Sequence, residues 1–176
     1  AVFIAGAIDG NTNLSETKFT PNDNVHAGFV YQMNLNTSFT GDDNLYVRLK
    51  AQNGWVNMRS KPGNYHNEAG GGTGNITVDK IWYTFPLGER WEATVGPRIE
   101  NYYMLAATPS VYKPKVLKAF RFGGHGAAFG ATTSTGLGLK YVADNGFASS
   151  LTVNSQGGNN SNGFLTNEDA SKINLQ

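Results

Sequence analysis

The residues with the most distinctive chemistry lie between positions 101 and 128. Two adjacent tyrosines stand near its start. Every charged side chain between residues 101 and 128 is basic, and the nearest preceding acid is Glu100. Its aromatic and basic members are Tyr102, Tyr103, Tyr112, Lys113, Lys115, Lys118, Arg121 and His125. Positive groups gathered on one segment attract small anions and repel cations, while tyrosine rings stack on flat apolar faces. What this chemistry acts on depends on the elements that position it.

A second set of charges alternates with apolar residues, so its members point to one face of an extended chain. The set consists of Arg48, Lys50, Lys80, Arg98 and Lys140, with Glu92 and Glu100 as opposing acids. Arg98 directly follows Pro97, and a proline within a strand favours a bulge that changes the facing of its neighbours. Arg98 is therefore the one basic residue whose facing the alternation leaves open.

Catalytic, metal-binding and nucleic-acid-binding patterns are weak. The stretch "DGNTN" (9–13) begins like a calcium loop, but its twelfth position is Thr20 rather than Glu. The three histidines lack metal-ligand spacing, there is no cysteine, and "GGHGAAFG" (123–130) lacks the strand, turn and helix of a nucleotide site. With 14 Lys and Arg against 13 Asp and Glu, no basic excess indicates nucleic acid. The sequence predicts neither an enzyme nor a cofactor or metal.

The elements that carry the charges are predicted to be strands. Residues 26–40 alternate apolar and polar side chains, and the same parity returns in five later segments. In these segments the odd positions carry no charge, whereas the even positions hold mostly Asn, Ser, Thr, Gln and Gly. No apolar run reaches the ~20 residues of a membrane-spanning helix. An apolar face opposite a polar, weakly charged face is typical of strands between lipid and a water-filled lumen.

Short and long connections also alternate along the chain. The short ones are 41–44, 86–90 and 143–146, and the long ones are 10–24, 53–75, 101–128 and 157–171. This is the plan of an outer-membrane β-barrel, with short periplasmic turns and long extracellular loops. Aromatic residues of the apolar face flank the short turns: Phe39, Phe85, Trp91, Tyr141 and Phe147. In a barrel they would form an aromatic girdle at the membrane interface. Cross-strand aromatic pairs in an ordinary sheet are the alternative.

Shared parity constrains the tight turns. If odd residues of both strands of a hairpin share a face, the loop between them must contain an odd number of residues. We therefore expect loops of three or five residues, closed by a left-handed residue such as Asn44 or Asn145. With residues 1–8 as the first strand and another beginning near Lys172, the sequence predicts an all-β, antiparallel transmembrane barrel. The prediction covers seven strands and the start of an eighth, part of a larger barrel.

Three stretches resemble a known family. They are "LNTSFTGDDNLYVRLKAQN" (35–53), "DKIWYTFPLGERWEATVGPRIENYYMLAATPSVYKP" (79–114) and "GGHGAAFGATTSTGLGLKY" (123–141), with a weaker fourth, "VFIAGAIDG" (2–10). They resemble the cyanobacterial outer-membrane porins, also called iron-uptake porins, which are related to the carbohydrate-selective porins. The similarity is to the picocyanobacterial type and to the first half of its barrel.

The resemblance implies a passive channel in the cyanobacterial outer membrane for small inorganic ions and solutes, including iron. It implies that residues 1–176 are a partial barrel domain, without the peptidoglycan-binding S-layer-homology domain and the C-terminal half of the barrel. It also implies contact with outer-membrane lipid and a possible homotrimer. In such a channel Arg48, Lys50, Lys80, Glu92, Arg98 and Lys140 would line the pore. Residues 101–128 would fold inward as a basic constriction loop that favours anions.

Two other functions fit parts of the pattern. A carbohydrate-selective porin would use the loop tyrosines to stack on sugar rings. A soluble β-sandwich that binds carbohydrate would make the same lysines and arginines ordinary surface charges, and those of the 101–128 loop would only solvate it. Channel block by sugars distinguishes the first alternative, and solubility without detergent distinguishes the second.

Overall fold

The computed structural model describes residues 2–8, 22–53, 73–107, 132–161 and 163–176. Within them it contains β1 (Val2–Ile8), β2 (Asn22–Thr37), β3 (Asn44–Asn53), β4 (Thr77–Pro86), β5 (Trp91–Glu100), β6 (Thr133–Val142), β7 (Ala148–Ser155) and β8 (Ser171–Leu175). One turn of 3₁₀ helix, Asn101–Met104, follows β5. Each strand pairs with the next in one sheet, and every recorded pairing is antiparallel. The predicted all-β, antiparallel class is confirmed.

The chain divides into two compact units. One contains the described parts of residues 1–32 and 50–77, and the other contains those of 33–49, 78–114 and 120–176. The second unit holds most of β3 to β8 and is the one that the following paragraphs describe. In the described part of the chain, no helix has the length and apolarity required to cross a membrane.

The two faces of the sheet in the second unit differ in exposure. We call them the odd face and the even face, after the parity of the strand residues that point to each. On the odd face Leu137, Leu151 and Ile173 are 44%, 43% and 64% exposed. On the even face the buried side chains are Tyr46, Lys80, Trp82, Thr94, Ser150, Thr152 and Asn154. Most large apolar side chains of the odd face are therefore uncovered, with Val153 (9% exposed) an exception, whereas the even face encloses polar side chains together with Tyr46 and Trp82.

Two tight turns have the register that shared parity requires. Leu87 NH donates to the Trp91 carbonyl, and Ala143 NH donates to the Phe147 carbonyl, both at 2.8 Å. These pairs enclose three-residue loops, as predicted. The left-handed residues are Gly88 (φ 77°) and Gly146 (φ 86°), whereas neither Asn44 nor Asn145 has a positive φ. The expected use of asparagine is wrong, because a glycine in each loop adopts this conformation without a Cβ clash.

The turn between β2 and β3 is organised by one buried carboxylate. Asp43 accepts hydrogen bonds from Ser38 Oγ (2.6 Å), Tyr83 OH (2.6 Å), Thr40 NH (2.8 Å) and Phe39 NH (2.9 Å). The bond from Ser38, followed by those from Tyr83 and Thr40, holds the pKa of Asp43 well below its ordinary value. The turn therefore depends on an ionised Asp43.

A β-bulge in β5 changes the facing of Arg98. The extra residue of β5 falls between Val95 and Arg98 relative to β4 and between Gly96 and Ile99 relative to β6, so the bulge lies around Pro97. Beyond the bulge Arg98 pairs with Ile81. Ile99 is fully buried and belongs to a hydrophobic cluster with Tyr46, Trp82 and Met104. The predicted place of Arg98 among the pore-lining even residues is thus corrected: it shares a face with Ile81, because the extra residue inverts the alternation.

Candidate functional site

A buried ion pair joins Lys80 of β4 to Glu100, the last residue of β5. Lys80 Nζ lies 2.5 Å from Glu100 Oε2, and the two side chains are only 7% and 11% exposed. Lys80 also lies 3.8 Å from Asp79 Oδ2 and 3.5 Å from Thr133 Oγ1. Arg48 Nη1 approaches the same Asp79 oxygen at 3.8 Å. Because burial removes water from these charges, mutual pairing is what permits them here.

Three aromatic rings cluster on the even face, two of them stacked. Tyr46 lies 4.1 Å from Trp82 between ring centroids at an interplanar angle of 26°, and Trp82 lies 4.9 Å from Tyr103. Arg48 fastens the group, because its Nε donates to the Tyr46 hydroxyl and to Asn34 Oδ1, each at 2.9 Å. Its Nη2 donates to the Tyr103 hydroxyl at 3.2 Å. A cation thus meets the rings of a small hydrophobic cluster that Tyr46 and Trp82 form with Ile99 and Met104.

The start of the predicted constriction loop lies against the even face. Met104 of the 3₁₀ helix packs on Gly138 so closely that a Cβ at Gly138 would lie 2.7 Å from the methionine Sδ. Asn101 is fully buried, and its Oδ1 accepts a hydrogen bond from Thr132 NH at 3.1 Å. Burial raises the pKa of the Tyr102 hydroxyl far above its ordinary value, and the Glu100 carboxylate adds to the shift. Tyr102 therefore stays protonated on this face.

A second ion pair joins β5 and β6 near the opposite end of the strands. Glu92 and Lys140 are directly opposed in the ladder, and Lys140 Nζ lies 2.6 Å from Glu92 Oε1. Their side chains are 40% and 27% exposed, so this pair remains open to solvent. The structure therefore brings together the basic and acidic residues that the alternation placed on one face.

The other predicted residues are distributed as follows. Lys50 belongs to the first unit, where its backbone carbonyl accepts a hydrogen bond from Thr77 Oγ1 at 3.3 Å. Six loop residues lie outside the described residues: Tyr112, Lys113, Lys115, Lys118, Arg121 and His125. Inward folding of that part of the loop stays a prediction.

The rings of the predicted girdle lie beside the turns. Trp91 packs on Tyr141 at 4.8 Å, and Tyr141 on Phe147 at 6.3 Å. Phe85 stacks on Tyr83 at 5.4 Å, and Tyr83 lies 6.1 Å from Phe39. Trp91, Phe147 and Phe39 nonetheless remain 45%, 60% and 70% exposed. The rings therefore pair across strands, or within β4 in the case of Phe85 and Tyr83, and also present apolar surface.

Sequence reasoning missed three contributors to the even face. Tyr46 and Trp82 are aromatic residues at polar-face positions, and that departure from the pattern was the available signal. Gln176 gives no comparable signal, although its side chain bonds both backbone groups of Ala107. Comparisons of the chain with family profiles, curated proteins and solved structures find no match. The functional argument consequently depends on the geometry of this chain.

Proposed function

We propose that this chain is part of an outer-membrane porin, a passive diffusion channel for small ions and solutes. The observation that carries the proposal is the inverted distribution of side chains. Charged Lys80 is buried on the even face with its ammonium paired to Glu100 of β5, whereas Leu137, Leu151 and Ile173 stand exposed on the odd face. Burial of apolar surface is the main driving force of folding in water, so a sheet with this distribution requires an apolar surrounding. Lipid supplies it.

Strand length supports the same proposal. β4, β5 and β6 each contain ten residues, and a tilted strand needs about 9 to 11 to cross the hydrocarbon core. The exposed ring of Trp91 begins β5 and that of Phe147 directly precedes β7, and aromatic side chains at strand ends prefer the boundary between hydrocarbon and headgroups.

The even face would then line the pathway. Two of its lysines are paired with acids, Lys80 with Glu100 and Lys140 with Glu92, and Lys172 adds a positive charge 3.3 Å from Thr132 Oγ1. The loop lysines beyond the described part would add to the anion preference that the sequence predicts. Iron and other small inorganic solutes are the cargo that the sequence resemblance implies, and no energy source or cofactor is needed.

One observation favours a second candidate, a carbohydrate-selective porin. The Tyr103 ring stands on the even face, is 44% exposed, and lies beside Trp82 and the Arg48 guanidinium. Exposed rings next to a hydrogen-bond donor are suited to stacking on a sugar. The two candidates differ in whether sugars occupy the pore.

Single-channel recording of the full-length protein in planar bilayers tests the proposal. We expect stepwise conductance that is ohmic in simple salts and unaffected by millimolar sugars. Saturable block by mono- or oligosaccharides would favour the carbohydrate channel instead. A full-length protein that stays monomeric in water without detergent and gives no conductance would contradict both channels and support the soluble sandwich.

A further inference from the structure

The segment after β5 runs along the even face toward the tight-turn end of the sheet. It leaves β5 at Asn101, whose NH donates to the Thr132 carbonyl just before β6 (3.0 Å). Met104 then packs on Gly138, which lies well within β6. The segment thus passes from the beginning of β6 to its second half within the residues that the structure describes.

The segment is next held by Gln176, beyond β8. Ala107 NH donates to Gln176 Oε1 at 3.1 Å, and Gln176 Nε2 donates to the Ala107 carbonyl at 2.7 Å. Gln176 pairs with Ser150 of β7 through two backbone hydrogen bonds of 3.0 and 2.9 Å, and Ser150 Oγ donates to Gln176 Oε1 at 3.2 Å. The side chain that binds Ala107 is therefore itself fixed to the sheet.

These contacts fall in a single row of the ladder. Glu92 is opposite Lys140, Lys140 is opposite Ser150, and Ser150 pairs with Gln176. We call these four residues the basal row. Lys140 is two positions before Val142, the last residue of β6, so the row lies close to the tight turns.

The basal row also carries the accessible charges. The ion pair at the other end of the strands, Lys80 with Glu100, is 7% and 11% exposed, whereas Lys140 and Glu92 are 27% and 40% exposed. A passing ion responds most to charges that it can approach without intervening protein, and a narrow passage strengthens that response. Lys80 and Glu100, which are buried, are poorly suited to this role.

We infer that the narrow part of the proposed pore lies at the basal row, near its periplasmic mouth. There Lys140 and Glu92 determine ion selectivity, and Gln176 is a positioning residue that holds the inserted segment through Ala107. The inference rests on the proposed function, because the row can select solutes only in a protein that conducts them.

Cysteine labelling tests the depth of the segment without requiring conduction. The sequence has no cysteine, so single variants of the full-length protein report one site each. With a membrane-impermeant maleimide added outside intact cells, we expect A107C to react several-fold more slowly than K172C, which lies on the even face at the opposite end of the sheet. Adding Q176L to A107C should raise its rate. Equal rates for A107C and K172C would overturn the inferred depth.

Charge reversal tests the selectivity. K140E should lower the anion-to-cation permeability ratio by at least about twofold, since it places two acids in the narrow row. K172E is the matched control, because Lys172 lies at the other end of the sheet with its Nζ 3.3 Å from Thr132 Oγ1. A shift for K172E as large as that for K140E would overturn the inference. Absence of conductance in the unmodified protein would instead overturn the proposed function and the selectivity role with it, while labelling still decides the depth.

Discussion

At the scale of single residues, Asp43 makes the clearest prediction. Its carboxylate accepts hydrogen bonds from Ser38 Oγ, Phe39 NH, Tyr83 OH and both the NH and the Oγ1 of Thr40, and an asparagine would replace one acceptor oxygen by a donor group. D43N should therefore lower the urea midpoint of unfolding in lipid vesicles at neutral pH. D144N is the matched control, because Asp144 is 83% exposed and bonds only Arg90 in the described turn.

The same residue predicts a pH dependence. Because folding lowers the pKa of Asp43, its contribution to stability is complete above the ordinary value of 3.8 and is lost as pH falls toward the lowered pKa. The unmodified protein should lose stability between about pH 5 and pH 2, and D43N should lose less over that range. Parallel losses in both proteins would show that other carboxylates determine the acid sensitivity.

Residue facing could be predicted from the sequence wherever alternation is unbroken. Arg48, Lys140 and Leu137 point as predicted because the two-residue period of a strand is a local property. Arg98 does not, because the extra residue at Pro97 is defined by pairing with both β4 and β6. The contact of Gln176 with Ala107 joins residues far apart in sequence, so no local pattern indicates it.

At the scale of elements, the 3₁₀ helix depends on the absence of a side chain at Gly138. A Cβ there would lie 2.8 Å from the Met104 Cβ, which cannot rotate away. G138V should lift the helix from β6, destabilise the protein by about 1 to 3 kcal/mol, and raise single-channel conductance. L137I, the neighbouring change on the odd face, should leave conductance unchanged. Equal conductance of G138V and the unmodified protein would mean that this segment does not narrow the pore.

The elements themselves were largely predictable, but their contacts were not. Alternation and turn parity located the strands and the three-residue loops, because both follow from the geometry of one hairpin. The position of Asn101–Met104 on the even face was predicted only as part of an inward-folded loop. How far this segment extends along the even face is determined by the close packing of Met104 on Gly138. A glycine within a strand does not indicate which side chain will pack against it.

At the scale of the whole molecule, a membrane protein differs from a soluble one in whether the odd face contacts lipid or water. Leu137 is 44% exposed near the middle of β6, and Phe147 is 60% exposed beside a tight turn. In a soluble sheet, arginine at either site would face water and change stability little. In a bilayer, arginine costs about 2 to 4 kcal/mol near the midplane but only about 0 to 1 near the interface.

The comparison of L137R with F147R therefore measures depth in lipid rather than burial in protein. We expect L137R to lower the free energy of unfolding in lipid vesicles by about 2 to 4 kcal/mol, and F147R by about 1 kcal/mol or less. Urea titration of the full-length protein, followed by tryptophan fluorescence, gives both values. Disrupted packing within the protein would also make L137R the more destabilising change, because Leu137 is less exposed than Phe147.

The same titration in detergent micelles distinguishes the two causes. Micelles thin around a charge and should reduce the loss of stability in L137R, whereas a loss caused by protein contacts would persist. A loss at Leu137 that is equal in vesicles and micelles would contradict the membrane-facing assignment of the odd face.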